Sequence, residues 1–181
     1  MDKRLNNLVA VTVVILSVFM AISKIKDDNV TQAMQKAKQE SVDAWAEYQA
    51  SRIKLHVDEN ALTQLRALES AGNIDRAISA RQAADYEADI KKYEARSKET
   101  RAKAEALERE YDRLNFRDDQ FDMSDAFLSI AIAVAAVAAL ADSFWLLYVA
   151  WASGAVGFAF GVAGFLGINF RPDWLAQLLG T

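Results

Sequence analysis

Three apolar stretches flank a long charged middle, and that layout limits the fold more than any other feature of the chain. The stretches run from about Leu5 to Ile25, from about Met123 to Ala141 and from about Phe144 to Ile168. The first carries no charge between Leu5 and Ser23, and the last two are parted by one charge, Asp142. A helix needs about 20 apolar residues to cross the ~30 Å hydrocarbon layer of a bilayer. The expected fold is therefore all-α: an integral membrane protein with three transmembrane helices and a polar insert between the first and second. Lys3 and Arg4 precede the first stretch as in a signal peptide. No small-x-small cleavage site precedes Lys24-Ile25-Lys26, so the stretch reads as a retained anchor.

The mean hydropathy of -0.01 averages two opposite compositions. Residues 24–122 hold 18 of the 21 Lys and Arg and 21 of the 25 Asp and Glu, so this insert belongs in water. The net charge of -4 is small and both signs interleave, which gives no attraction to nucleic acid. With no cysteine, disulfides and thiol chemistry are excluded.

Inside the insert the strong helix formers Ala, Glu, Lys, Gln and Arg dominate, proline is absent, and Gly72 is the lone glycine. Gly72-Asn73 is a natural stop because both residues tolerate positive φ, and Asn73 or Asp75 can cap the next helix. The break falls midway, leaving two arms of about 50 residues, each roughly 70 Å long if fully helical. Matched arms let a chain leave a membrane face and return to it, as a long antiparallel coiled-coil hairpin. A 3/4 spacing on the second arm picks out Tyr86, Ile90, Tyr93, Ser97, Thr100, Ala104, Leu107, Tyr111 and Leu114, with Ser97 and Thr100 as its weak middle. On the first arm Met34, Ala37, Ser41, Ala44, Tyr48, Leu55, Leu62 and Leu65 share a less regular frame beside Trp45. Glu87–Lys91, Glu94–Lys98, Glu99–Lys103 and Glu105–Arg109 stand at i,i+4 and predict an ion-paired outer face.

The short Asp142-Ser143 break predicts a tight pair of closing spans with Asp142 in water at its tip; an acid within the membrane would instead suggest proton or ion transfer. The third stretch carries Gly154, Gly157, Gly161, Gly164 and Gly167, most of them on one stripe, and the second is rich in alanine, Ala135 and Ala138 included. Small residues let spans approach closely. The stripe packs the second span, or it also builds a subunit interface; the expectation is a homo-oligomer. Arg171-Pro172-Asp173-Trp174-Leu175 predicts an interfacial tail. The expected divisions are residues 1–25, 26–122 with a turn at 72–74, 123–168 and 169–181. Lys24, Lys26, Arg113, Arg117 and Arg171 on the arm side mildly favour cytoplasmic arms and C-terminus, while Lys3 and Arg4 before the first stretch argue the reverse.

No catalytic, cofactor or metal site is expected. His56 is the lone histidine and reads as solvent-facing. Asp118, Asp119, Asp122 and Asp125 cluster before the second stretch without calcium-loop spacing. No phosphate-binding glycine loop and no nucleophile elbow is present.

Val11-Thr12-Val13-Val14, Ser23-Lys24-Ile25-Lys26-Asp27-Asp28-Asn29 and Asp43-Ala44-Trp45-Ala46-Glu47-Tyr48-Gln49-Ala50, followed by Lys54 and His56, resemble the uncharacterised bacterial domain-of-unknown-function 4337 family. The resemblance covers almost the whole chain. It implies a multi-pass protein of the bacterial inner membrane, carries no assigned activity and transfers no functional residue. The expected role is a membrane-anchored structural or scaffolding protein, partnered by the lipid bilayer, further copies of itself and a possible protein along the arms. The alternative is a transport or channel component formed by several copies; Ser129 and Ser153 are few polar groups for such a path.

Overall fold

The computed structural model describes residues 2–168. Three helices account for them: α1 (Lys3–Ser70), α2 (Arg76–Leu140) and α3 (Phe144–Leu166). No strand occurs among the described residues. The interfacial tail expected over residues 169–181 lies outside them.

The two breaks fall where the sequence carries its stop signals. At the end of α1 the Gly72 N–H donates to the Glu69 carbonyl at 3.0 Å and the Asn73 N–H to Leu68 at 3.1 Å, with Gly72 at φ 72°. This paired return of two amides satisfies carbonyls that the helix end would leave open. Asp75 then caps α2, its Oδ1 accepting from the Ala77 and Ile78 amides at 2.8 and 3.3 Å. At the second break the Ser143 N–H reaches back to Ala138 at 3.0 Å, and Asp142 takes the left-handed position at φ 51°. Gly167 takes that position after α3, at φ 65°.

No glycine or proline separates Ile25 from the first arm, or the second arm from Met123. The first apolar stretch and the first arm are accordingly one helix, and so are the second arm and the second stretch. The acidic run Asp118–Asp125 therefore sits mid-helix, where no helix terminus acts on it. All three helices contain a segment long and apolar enough to cross a membrane.

The chain forms two compact units: an apolar unit of Met1–Gln35 with the chain from Tyr111 onward, and an arm unit of Lys36–Glu110. In the apolar unit, Leu5, Val9, Ala135, Ala138, Leu147 and Ala150 make one core cluster drawn from all three helices. Met123 and Phe160 centre another, with Phe127 packed against it. In the arm unit, Glu47 on α1 meets Arg96 on α2, Arg66 meets Glu87, and Glu69 meets Ser79. Partners thus climb α2 as they descend α1, the order of an antiparallel pair.

Candidate functional site

Helix contact is what these side chains build. Along α3, Gly154, Gly157, Gly161 and Gly164 are all buried. A Cβ at Gly157 would stand 2.9 Å from Leu128 Cγ and 3.0 Å from the Ser124 carbonyl oxygen. At Gly161 it would lie 2.7 Å from Phe19 and 2.8 Å from Ser124 Oγ. At Gly164 it would meet the Phe121 ring at 3.0 Å, and at Gly154 the Leu16 methyl at 3.2 Å. The space each glycine leaves is filled by α1 and α2 of the same chain. The stripe is thus occupied internally and gives no argument of its own for a subunit interface. Gly167 stands apart from it: exposed, it ends the helix. Ala135 and Ala138, fully buried, face Leu5, Val9 and Leu147.

Several polar groups of the apolar unit bond to partners within the chain. Trp151 Nε1 donates to Thr12 Oγ1 at 2.9 Å, and Ser153 Oγ to the Phe127 carbonyl at 2.8 Å. Arg117 reaches the Gly164 carbonyl at 3.1 Å, and Gln120 Nε2 donates to Ile168 at 2.7 Å. Asp142 is exposed, and its Oδ1 accepts from the Asp2 amide at 2.9 Å. That hydrogen bond holds its carboxyl below the ordinary aspartate range.

In the arm unit burial follows the 3/4 spacing. Ala37, Ser41, Ala44, Leu55, Leu62 and Leu65 are buried on α1, and Tyr48 is half-buried. Across from them Tyr86, Ile90, Tyr93 and Leu107 are half-buried, and Ser97, Thr100 and Ala104 are buried. Tyr111 is half-buried and Leu114 buried in the apolar unit. Ser97 and Thr100 do not interrupt the seam, because their hydroxyls bond back to the Glu94 and Arg96 carbonyls at 2.9 and 2.8 Å. Ser51, buried, and the half-buried Asp58 and Glu69 complete the α1 seam. Extending the 3/4 count through polar positions would have found them.

The outer charges take partners other than those of the four expected pairs, although some still stand at i,i+4. Glu87 turns across to Arg66 at 2.8 Å, and Glu105 to Arg101 at 2.7 Å. Arg96 bonds Glu47 on the opposite helix. Exposed pairs of this kind contribute only ~0–1 kcal/mol each, so geometry decides among them. Trp45 Nε1 donates to Glu108 at 2.8 Å, and Lys54 and Lys92 lie 5.4 and 5.2 Å from the Tyr93 ring centre. A groove of about 580 Å³ lies beside this ring, lined by Ala50, Ser51, Lys54, Tyr93 and Arg96. His56 is exposed, between Arg52 at 3.2 Å and Glu59 at 2.9 Å. Among the described residues no three His, Cys, Asp or Glu side chains converge as metal ligands.

One polar cluster, centred on the buried Asp27, lies in the apolar unit just beyond the apolar stretches. Asp27 is 5% exposed and accepts from Lys24 Nζ at 2.8 Å. Thr31, one turn on, donates to Asp118 Oδ1 at 2.7 Å. Burial pushes the Asp27 carboxyl above the ordinary aspartate range, Lys24 opposes the shift, and Asp118 adds to it. Asp122 keeps an exposed surface, yet packing around its carboxyl, and then Asp118 and Asp27, raise it as well. The acidic run Asp118–Asp125 was visible in the sequence; its meeting with Asp27 was not, since that depends on how α1 and α2 align.

No curated protein and no solved structure matches the chain. A family described as a domain of unknown function, DUF4337, matches residues 5–167, and with nearly its whole length covered the chain belongs to that family.

Proposed function

We propose that this protein is a membrane-anchored scaffold. In this reading the three apolar stretches cross a bilayer, and the arms form an antiparallel coiled-coil hairpin in water that assembles with further copies of the chain. One observation carries the assembly. Val42, Ile53, Val57 and Leu68 stand 57, 64, 59 and 48% exposed on α1 of the arm unit, although the arm's own seam is already buried. In lipid such side chains need no cover, but on a polar arm they favour a helix packed over them. The membrane reading is supported by Val11, Val14, Ile15, Val18 and Trp145, all more than half exposed. Exposure of that kind suits hydrocarbon. The basic residues on the arm side favour a cytoplasmic hairpin. A conducting assembly is the weaker reading, because Thr12 and Ser153 spend their hydrogen-bonding groups on partners in the same chain.

Native mass measurement of the detergent-solubilised protein tests the proposal. A discrete homo-oligomer is expected, and Ile53→Glu combined with Val57→Glu should return it to the monomer. A monomeric wild-type protein, or an oligomer indifferent to both charges, overturns assembly through the arms.

A further inference from the structure

Along the outer side of α1 the sequence repeats every 11 residues. Val42, Ile53 and Gln64 hold one position of the repeat, and Ala46, Val57 and Leu68 hold a second. Gln49 and Asn60 hold the third. The steps between neighbours are 4, 3 and 4, so these positions line up along one side of the helix as a stripe. Every one of them is exposed. The seam toward α2 keeps a different count, with steps of 3 and 4 from Ser41 through Ala44, Tyr48 and Ser51 to Leu55. The outer stripe is therefore a second pattern on the same helix. Seven Asp, Glu, Lys and Arg residues lie between Val42 and Leu68, and none of them falls on it.

We propose that α1 of one chain meets α1 of a second along this stripe, parallel and in register across a two-fold axis. The inference rests on the scaffold reading above and adds the element, direction and register of the contact. Direction follows from anchoring. One continuous helix carries the first apolar stretch and the first arm, so copies inserted alike in a bilayer present α1 in the same direction.

Register follows from charge. In a parallel two-fold pair each residue faces its own copy. A charged residue there would oppose a like charge, at a cost of several kcal/mol. A stripe without charge is what such self-contact requires. Gln49, Asn60 and Gln64 suit it, because a side-chain amide both donates and accepts and can bond an identical amide. A few amides in an otherwise apolar seam also hold two helices in one register. From Val42 to Leu68 the stripe runs roughly 40 Å, about the length of four heptads. Its 11-residue period fits a right-handed pairing.

The outer side of α2 does not offer an equivalent partner. It sets exposed Arg81, Lys91, Lys98 and Arg109 among its alanines. Two copies of that side would bring basic residues together. Laid on the α1 stripe, it would bury charges without partners.

Because the chain has no cysteine, single introduced cysteines report the contact. Full-length protein carrying Gln49→Cys or Asn60→Cys, oxidised in membranes, should give a disulfide-linked dimer from each variant. Lys91→Cys on α2 should stay at monomer mass. Asn60→Asp should weaken assembly on the order of tenfold or more at neutral pH, where acid faces acid, and recover in acid, where the protonated carboxyl donates again. Cross-linking only when the Gln49→Cys and Asn60→Cys chains are expressed together would mean antiparallel helices and overturn the proposal. So would equal cross-linking of Lys91→Cys, or a different protein bound along α1 in place of the second copy. If the wild-type protein has a discrete oligomeric mass but neither stripe cysteine links to its own copy, this pairing is wrong and assembly through the arms stands. If the wild-type protein is monomeric, both fall.

Discussion

At Gly157 an added methyl group would press on backbone atoms of Leu128 and Ser124, which cannot swing aside. At Gly154 it would press on the ends of Leu16, which can. Gly157→Ala should accordingly cost more than Gly154→Ala, and Gly157→Leu or Gly161→Leu at least the ~1–3 kcal/mol typical of overpacking. Unfolding in detergent measures both; equal midpoints for the two alanine variants would contradict the close approach. Gly72 is a different case. Nothing lies within 4 Å of its absent Cβ, so Gly72→Ala meets only the left-handed backbone penalty of about 1–2 kcal/mol. The glycine stripe was legible from its spacing alone. What covers it was not, since Phe19, Leu128 and Phe121 come from other helices. Gly167 shares the composition of the stripe but serves as a helix end, a distinction that rests on its φ of 65°.

The helices follow their punctuation. With proline absent and Gly72 alone in the middle, the ends of α1 and α2 could be placed within a few residues from the sequence. The seam was legible on α2 because its apolar residues keep the 3/4 count. On α1 Ser51, Asp58 and Glu69 hid it, being polar residues at seam positions. The pairing of surface charges was not legible, because pairs worth a few tenths of a kcal/mol yield to whichever partner the opposite helix presents. Ile90→Asp places an acid on the seam and should destabilise the arm pair by about 1–3 kcal/mol. Circular dichroism and limited proteolysis would show it as lost helicity and faster cutting near residue 90. Unchanged patterns would contradict the seam. Asp27 and Asp122 are both displaced upward, so the apolar unit should be most stable in mild acid and weaken as pH rises above about 4. Thermal melts across pH check that slope, and a slope of opposite sign would contradict it.

For the molecule as a whole, the alternation of apolar and charged sequence specified an all-helical fold with three segments suited to a bilayer. Family membership agrees with it over residues 5–167. The proposed assembly surface was less legible, because the exposed Val42, Ile53, Val57 and Leu68 emerge only once the buried seam is known. The scaffold reading depends on each chain folding its two arms against one another. The natural absence of cysteine makes that claim directly testable by introduced pairs. Glu47→Cys with Arg96→Cys joins residues in contact, whereas Glu47→Cys with Glu87→Cys joins residues more than two helical turns out of register. Oxidation of the full-length protein in membranes should cross-link the first pair quickly and within one chain, at monomer mass, and leave the second unlinked. Cross-links only between chains, or equal yields from the two pairs, would contradict the account.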